Sequence, residues 1–231
     1  YEIRPRDWSS DVCSSDLHFA YEQLAPIPAM MAAAAVTKRL RVGALVFAND
    51  YKHPAVLAKE LATIDFLSEG RVEVGLGAGW MNADYEMLGL PMERPGVRIE
   101  RLREGIRIMK ASFGPDPVNF EGKHYRVQNL VGHPRPVQSP PPLLIGGGGP
   151  KMLELACEEA DIISINGNLA TGEAGAPVFD SMRADAVSER IALVRQRLGA
   201  RALALVAVDG HGADALVIQV VGQAVGAMLH E

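Results

Sequence analysis

From Arg41 onward, short apolar runs of strand length alternate with amphipathic segments of helical period, and no other feature narrows the possible folds as much. A strand that feeds a helix and returns as another strand builds a parallel sheet covered by helices. Arg41 to Ala48 (RVGALVFA) reads as one near-continuous buried strand, Asn49 to His53 as a loop, and Pro54 as the first residue of a helix. In that helix Leu57, Leu61, Ile64 and Ser68 share a face, and Gly70 stands where a left-handed terminal residue is wanted. Arg71 to Leu76 is the next strand, and it opens into Gly77-Ala78-Gly79-Trp80. Ile99, Leu102, Ile106, Met109 and Phe113 recur at helical spacing and predict a helix over Pro95 to Phe113.

Further along, Leu143-Leu144-Ile145 is a short buried strand, Gly146 to Gly149 a loop, and Pro150 the start of a helix that turns Met152, Leu155 and Ala156 inward. Asp161 to Asn166 is another strand, Phe179 to Leu198 a helix with Ile191, Val194 and Leu198 on one face, and Ala202 to Val208 a last strand. Between Gly114 and Pro142, rich in Pro and Gly, the one regular element expected is a hairpin around Glu121-Gly122. Connections of this length are either lids and binding elements or plain excursions.

Composition removes several classes. With 231 residues the chain is shorter than the roughly 250 typical of a complete eight-stranded barrel. The balance of 23 basic and 28 acidic residues, without a basic cluster interleaved with aromatics, argues against a nucleic-acid partner. Leu24 to Val36, the most apolar early stretch, is too short to span a bilayer and reads as an Ala-rich helix with Met30 and Met31 in the core. The two cysteines, Cys13 and Cys157, make neither a disulfide framework nor a zinc spacing, which fits a reducing, cytoplasmic setting. Residues 1–17 lack a usable hydrophobic period, and Asp7 to Leu17 looks like the in-frame translation of a sequencing-library adapter. The expectation is therefore a non-native segment over 1–17 followed by a single partial domain over 18–231, with an ordinary polar tail as the alternative.

In a parallel barrel, function gathers where strands end and loops begin. Gly146, Gly147, Gly148 and Gly149 join a strand to a helix start, where exposed N–H groups and the helix dipole suit a phosphate; a tight turn needing glycine for geometry alone accounts for them equally. Gly77 and Gly79 allow a planar ligand to approach the backbone, with Trp80 as an aromatic wall, or they mark a bend at the rim. Ala44 to Asn49 offers small and apolar side chains that pack against a ring system or simply form core. His18 is a candidate for proton transfer, and His53, directly before Pro54, is better read as a helix cap.

Taken together, His53 to Lys59 (HPAVLAK), Thr63 to Arg71 (TIDFLSEGR), Gly75 to Trp80 and Pro141 to Gly149 resemble the luciferase-like monooxygenase family, in the same order and spacing, over roughly His18 to Val208. The closest resemblance is to the branch that uses the deazaflavin coenzyme F420. The resemblance implies an α/β fold, a TIM (β/α)8 barrel of the bacterial luciferase type, here incomplete at both ends, and a pocket for reduced F420 or, alternatively, reduced FMN. It further implies a small-molecule substrate and a homodimer. By the same resemblance Ala44 and Leu45 support the ring system at a strand end, often through a non-proline cis peptide. Gly77, Gly79 and Trp80 belong to the pocket, Gly146 to Gly149 surround the cofactor phosphate, and His18 takes the place of an Asp-His pair whose acid is here Leu17. Gly210 to Glu231 does not resemble the family's closing strand and helices.

The resulting expectation is hydride transfer between reduced F420 and a small organic substrate, with His18 as the proton donor and the long Gly114 to Pro142 connection shaping specificity. An FMN-dependent monooxygenase using O2 is the alternative within the family. Two further rivals are a phosphate-binding barrel isomerase or hydrolase, which predicts carboxylates or Lys at strand ends where this sequence has small and apolar residues, and a non-functional gene fragment.

Overall fold

Six parallel strand positions follow one another in chain order around a curled sheet in the computed structural model. The structure describes residues 18–19, 24–169, 171–172 and 176–199, together with the backbone of two strands at 12–13 and 204–207. The strands are β1 (Val12–Cys13), β2 (Arg41–Gly43) continued by β3 (Phe47–Ala48), β4 (Val72–Gly77), β7 (Leu143–Gly147), β8 (Ile162–Ile165) and β9 (Ala204–Ala207). A two-stranded antiparallel hairpin, β5 (Val118–Glu121) with β6 (Arg126–Leu130), interrupts the series. Helices α1 (Pro26–Val36), α2 (Pro54–Leu67), α3 (Asn82–Leu88), α4 (Pro95–Ser112), α5 (Pro150–Glu159), α6 (Ala176–Ser181) and α7 (Ala184–Leu198) complete the described elements. This sequential parallel order is the wall of a TIM-type barrel, here a half-barrel.

Side chains alternate across each strand, so each strand serves two environments. Val72, Val74 and Leu76 of β4, Leu143 and Ile145 of β7, and Ile163 and Ile165 of β8 are all buried in one cluster with the inner faces of the helices. In α2 the expected face is buried: Leu57, Leu61 and Ile64 are each at most 3% exposed, each stabilising by about 1.5–3 kcal/mol over an exposed position. Pro54 starts this helix, and His53 caps it by accepting the Ala55 N–H at Nδ1 over 3.2 Å. At its far end both Glu69 and Gly70 are left-handed, and the buried carboxylate of Asp65 accepts the N–H of Val72 and both the backbone and side-chain N–H of Gln138.

The expected strand over Arg41 to Ala48 is divided. Val42 pairs with Val72 and Gly43 with Glu73, but Phe47 pairs with Leu76, so the chain takes four steps from Gly43 to Phe47 while its partner takes three. The extra residue displaces Ala44 to Val46 from the ladder, and the Leu45–Val46 peptide is cis. Asn49 to Tyr51 is a 3-10 turn rather than open loop. The Phe179 to Leu198 helix is two helices, divided at Met182 and Arg183, where Arg190 folds back to bond the carbonyls of Ala186, Ser181 and Asn166. Helix α3 lies in a stretch for which the sequence reading offered no element.

Val12 and Cys13, in the segment expected to be foreign, pair in parallel with Arg41 and Val42; an edge strand recruits backbone N–H and C=O groups without regard to side-chain pattern. The rest of 1–17 and the 210–231 segment lie outside the described residues. The hairpin packs on α4 through Ile108, Val118 and Val127, with Tyr125 and Leu130 beside them. Its turn is fastened by Glu104, whose carboxylate accepts the N–H groups of Lys123, His124 and Tyr125 at 2.8, 2.9 and 3.0 Å. Among the described residues no helix is long and apolar enough to cross a membrane.

Candidate active site

A cavity of about 320 Å³ opens at the C-terminal ends of β3, β4, β7 and β8, within the range of small-ligand pockets. Register explains why it exists. Gly75 pairs with Leu144 and Gly146 with Ser164, and continuing the register by one residue sets Gly77 beside Gly146. Paired residues of parallel strands face the same way, so the last layer inside the curl is Gly77, Gly146 and Ser164, and Val46 and Asn166 pack over its two glycines to form the floor of the cavity. One layer down, Gly75 is closed off by the Ala44 carbonyl, which stands 1.8 Å from where a Cβ on Gly75 would be.

The glycines answer mainly to the protein's own packing. A Cβ would stand 2.4 Å from Val46 Cγ2 at Gly77, 2.2 Å from the Tyr85 hydroxyl at Gly79, 2.2 Å from Met152 Cγ at Gly147, and 2.3 and 2.4 Å from the carbonyl oxygens of Asn166 and Gly167 at Gly148. Gly79 also has φ +72°. Gly149 differs: its nearest neighbour would be Asn168 Oδ1 at 3.8 Å, so it faces open cavity. Gly146 and Gly147 are strand residues, not loop, which corrects the reading of the tract as a four-residue turn. Only Gly148 and Gly149 lie between β7 and α5, and their N–H groups donate to no backbone acceptor among the described residues. With Pro150 at the first helical position, this end of α5 presents bare amides and the positive end of the helix dipole to the cavity.

Across the cavity stands His18. Its Nδ1 is 2.7 Å from Asp84 Oδ2, and Asp84, in the first turn of α3, is fully buried. Asp84 Oδ1 accepts the Phe19 N–H at 2.8 Å, and the Tyr51 hydroxyl lies 3.4 Å from Oδ2. The Trp80 ring meets the His18 ring edge-on at 5.4 Å between centroids. Burial, then the charge of Asp84, raises the Tyr51 phenol well above its ordinary value, so it remains a hydroxyl at neutral pH. Behind this wall the Tyr85 hydroxyl donates to Asp50 at 2.9 Å, and Arg101 pairs with both Asp50 and Glu93. Tyr85 is likewise raised, by burial first and then by Asp50. Arg98, 3% exposed, donates to the Gly79 carbonyl at 2.6 Å and so fixes the loop that carries Trp80. Opposite, Arg190 donates to the Asn166 carbonyl at 2.6 Å, and the Ser164 hydroxyl donates to Asn166 Oδ1 at 2.8 Å, turning the amide nitrogen toward Gly146.

The structure brings His18, Leu45, Gly77, Gly79, Trp80 and Gly146 to Gly149 around this one cavity. Ala44 is not among its lining residues: it is 3% exposed and lies beneath Val46, because the extra residue in the strand moves the exposed wall on to Leu45 and Val46. No residue of the Gly114 to Pro142 connection lines the cavity either, since the hairpin is held on the outer side of α4. Val46 falls within the Ala44 to Asn49 stretch that the sequence reading offered as a wall; the reading missed Tyr51, Arg98, Met152, Asn166 and Asn168, which line the cavity, and Asp84, which supports it. An Asp-Tyr pair in a short helix four residues after Trp80 was the available signal for Asp84 and Tyr85. Chemically the cavity offers mostly apolar walls, backbone amides at one end, and, among the described residues, two side chains with basic nitrogen, His18 and Arg98, and no carboxylate.

Comparison with known proteins gives a consistent picture. A family model described as luciferase-like monooxygenase matches residues 10–227. An FMNH(2)-dependent dimethylsulfone monooxygenase of Pseudomonas putida is 29% identical over 191 residues, covering 82% of this chain and 51% of that protein. An F420-dependent glucose-6-phosphate dehydrogenase of Amycolatopsis mediterranei is 32% identical over 161 residues, covering 69% of this chain and 46% of that protein. The chain thus spans about half the length of these relatives. Among solved structures, the monooxygenase RslO1 from Streptomyces bottropensis superposes with a TM-score of 0.68 at 23% identity, covering 81% of this chain and 54% of that one, a likeness of fold.

Proposed function

The chain belongs to the luciferase-like monooxygenase family, and from that premise we propose that it is an F420-dependent oxidoreductase whose cofactor occupies the cavity at the strand ends. The observation that carries this reading is the convergence on one cavity of the Leu45–Val46 wall, the Trp80 ring and the bare amides of Gly148 and Gly149. The residues fit such a group. A planar ring system packs against Leu45, Val46 and Trp80, the amides and helix dipole of α5 take a phosphate, and Asn166 supplies a donor between them. When bound, the deazaflavin supplies hydride transfer to or from a small organic substrate. The protein's part is to orient both partners, exclude water with apolar walls, and move a proton at His18, the one imidazole among the described residues that line the cavity. A rival sugar-phosphate isomerase or hydrolase needs a carboxylate or Lys at the strand ends, and among the described residues the cavity lining includes neither.

The second reading, an FMN-dependent monooxygenase using O2, is favoured by the similarity to the Pseudomonas putida enzyme, which covers more of this chain than does the similarity to the F420-dependent dehydrogenase. Titration of the purified chain with F420 and with FMN, followed by cofactor fluorescence, tests both. Saturable F420 binding at least tenfold tighter than FMN is the expected result. The reverse preference establishes the second reading, and absence of binding by either cofactor overturns both.

A further inference from the structure

We propose that Asp84 is a positioning residue that holds His18 as its Nδ1–H tautomer, so that Nε2 is the basic nitrogen of the neutral ring. The inference rests on the reading of His18 as the proton-transfer group and adds how that group is oriented. Two donors reach Asp84, the Phe19 N–H on Oδ1 at 2.8 Å and the Tyr51 hydroxyl on Oδ2 at 3.4 Å, and His18 Nδ1 lies 2.7 Å from Oδ2. A side chain that receives donors on both oxygens acts as an acceptor-only carboxylate, and a ring nitrogen at 2.7 Å from it must then carry the proton. Asp84 is fully buried, so water does not compete for these bonds.

The geometry does more than select a tautomer. The two carboxylate oxygens hold consecutive residues of one segment, the ring of His18 and the backbone of Phe19, so the imidazole is fixed in position as well as in rotation. Trp80 closes the ring in from another side at 5.4 Å. The residue directly before His18 is Leu17, and the Asp84 carboxylate arrives from 66 residues away, on the helix that follows the Gly77 to Trp80 turn. The same turn that supplies the aromatic wall therefore supplies the support for the imidazole.

Nitrogen-15 NMR of the full chain labelled at its six histidines tests this, with His18→Gln to assign the resonance. At a pH where the ring is neutral, the Nδ1–H form is expected to exceed the Nε2–H form by roughly tenfold or more, the bias of one charge-assisted hydrogen bond. Asp84→Asn keeps an oxygen for Phe19 but presents an amide N–H to Nδ1, and the expected result is reversal to the Nε2–H form. Cofactor affinity, read by fluorescence with F420 and FMN, is expected to stay within about threefold, about half of a tenfold step in free energy. A predominant Nε2–H form in the unsubstituted protein overturns the proposal even if Asp84→Asn does not fold, and so does an unchanged tautomer in a folded Asp84→Asn. Failure of the unsubstituted chain to bind either cofactor removes the functional reading and leaves the tautomer result standing by itself.

Discussion

Replacing Gly148 and Gly149 one at a time by Ala separates what glycine does for the fold from what it does for a ligand. At Gly148 the new Cβ would stand 2.3 Å from the Asn166 carbonyl oxygen and 2.4 Å from that of Gly167, both backbone atoms, whereas ordinary contact begins near 3.4 Å. The loops after β7 and β8 must then part by about 1 Å, a strain of the overpacking kind costing about 1–3 kcal/mol. Reduced freedom of the unfolded chain returns about 0.4–1 kcal/mol. The expected net loss is about 1–2 kcal/mol, with cofactor affinity falling at least tenfold because both loops line the cavity. At Gly149 the backbone, φ −82° and ψ 151°, suits any residue, and the nearest atom to a Cβ would be 3.8 Å away. There the gain from the unfolded state and the poorer N-cap of Ala cancel to within about 0.5 kcal/mol. The methyl group nevertheless enters the space where a phosphate would sit, so affinity is expected to fall at least tenfold at unchanged stability. Urea denaturation and fluorescence titration with F420 and FMN read the two quantities separately. A Gly149→Ala protein that binds cofactor as the unsubstituted chain does would refute the phosphate assignment, and a Gly148→Ala protein of unchanged stability would refute the packing argument.

Two further outcomes follow from buried and half-buried carboxylates. Burial works to raise the Glu104 carboxyl, but the N–H groups of His124, Lys123 and Tyr125 outweigh it and hold the group below its ordinary 4.5. Because the folded value is the lower one, this contribution is complete above the ordinary value and is lost as pH falls through the depressed one. Glu104→Gln is expected to lower hydrogen-exchange protection of the β5–β6 hairpin at neutral pH by about 1–2 kcal/mol and to abolish its acid dependence; equal protection in both proteins would show that the hairpin is held by its apolar contacts alone. Asp65→Ala leaves the Val72 and Gln138 donors without their buried acceptor, and a loss of about 3 kcal/mol in urea unfolding is expected; a loss under about 1 kcal/mol would mean that water replaces the carboxylate.

What the sequence determined by itself is the succession of strand and helix. Leu57, Leu61 and Ile64, or Leu102, Ile106 and Met109, repeat at a period that buries one helical face whatever the neighbours, and Pro54, Pro95 and Pro150 each begin a helix where they stand. The order of the parallel sheet follows from that succession, and the glycines at the ends of β4 and β7 were visible as places where side chains are missing. The extra residue between Gly43 and Phe47 was not visible, because whether Ala44 or Val46 faces the cavity depends on pairing with β4, a relation between segments some 30 residues apart. Nor was the partner of His18: Leu17 beside it suggested that the imidazole had lost its acid, while the fold supplies Asp84 through space. The position of the hairpin was likewise decided by Glu104 and Ile108 on α4 rather than by its own residues. Periodicity is a local property that survives in the chain alone. Hydrogen-bond partners, cavity walls and the tautomer of an imidazole are set by distances between remote segments, and those exist only once the sheet has curled.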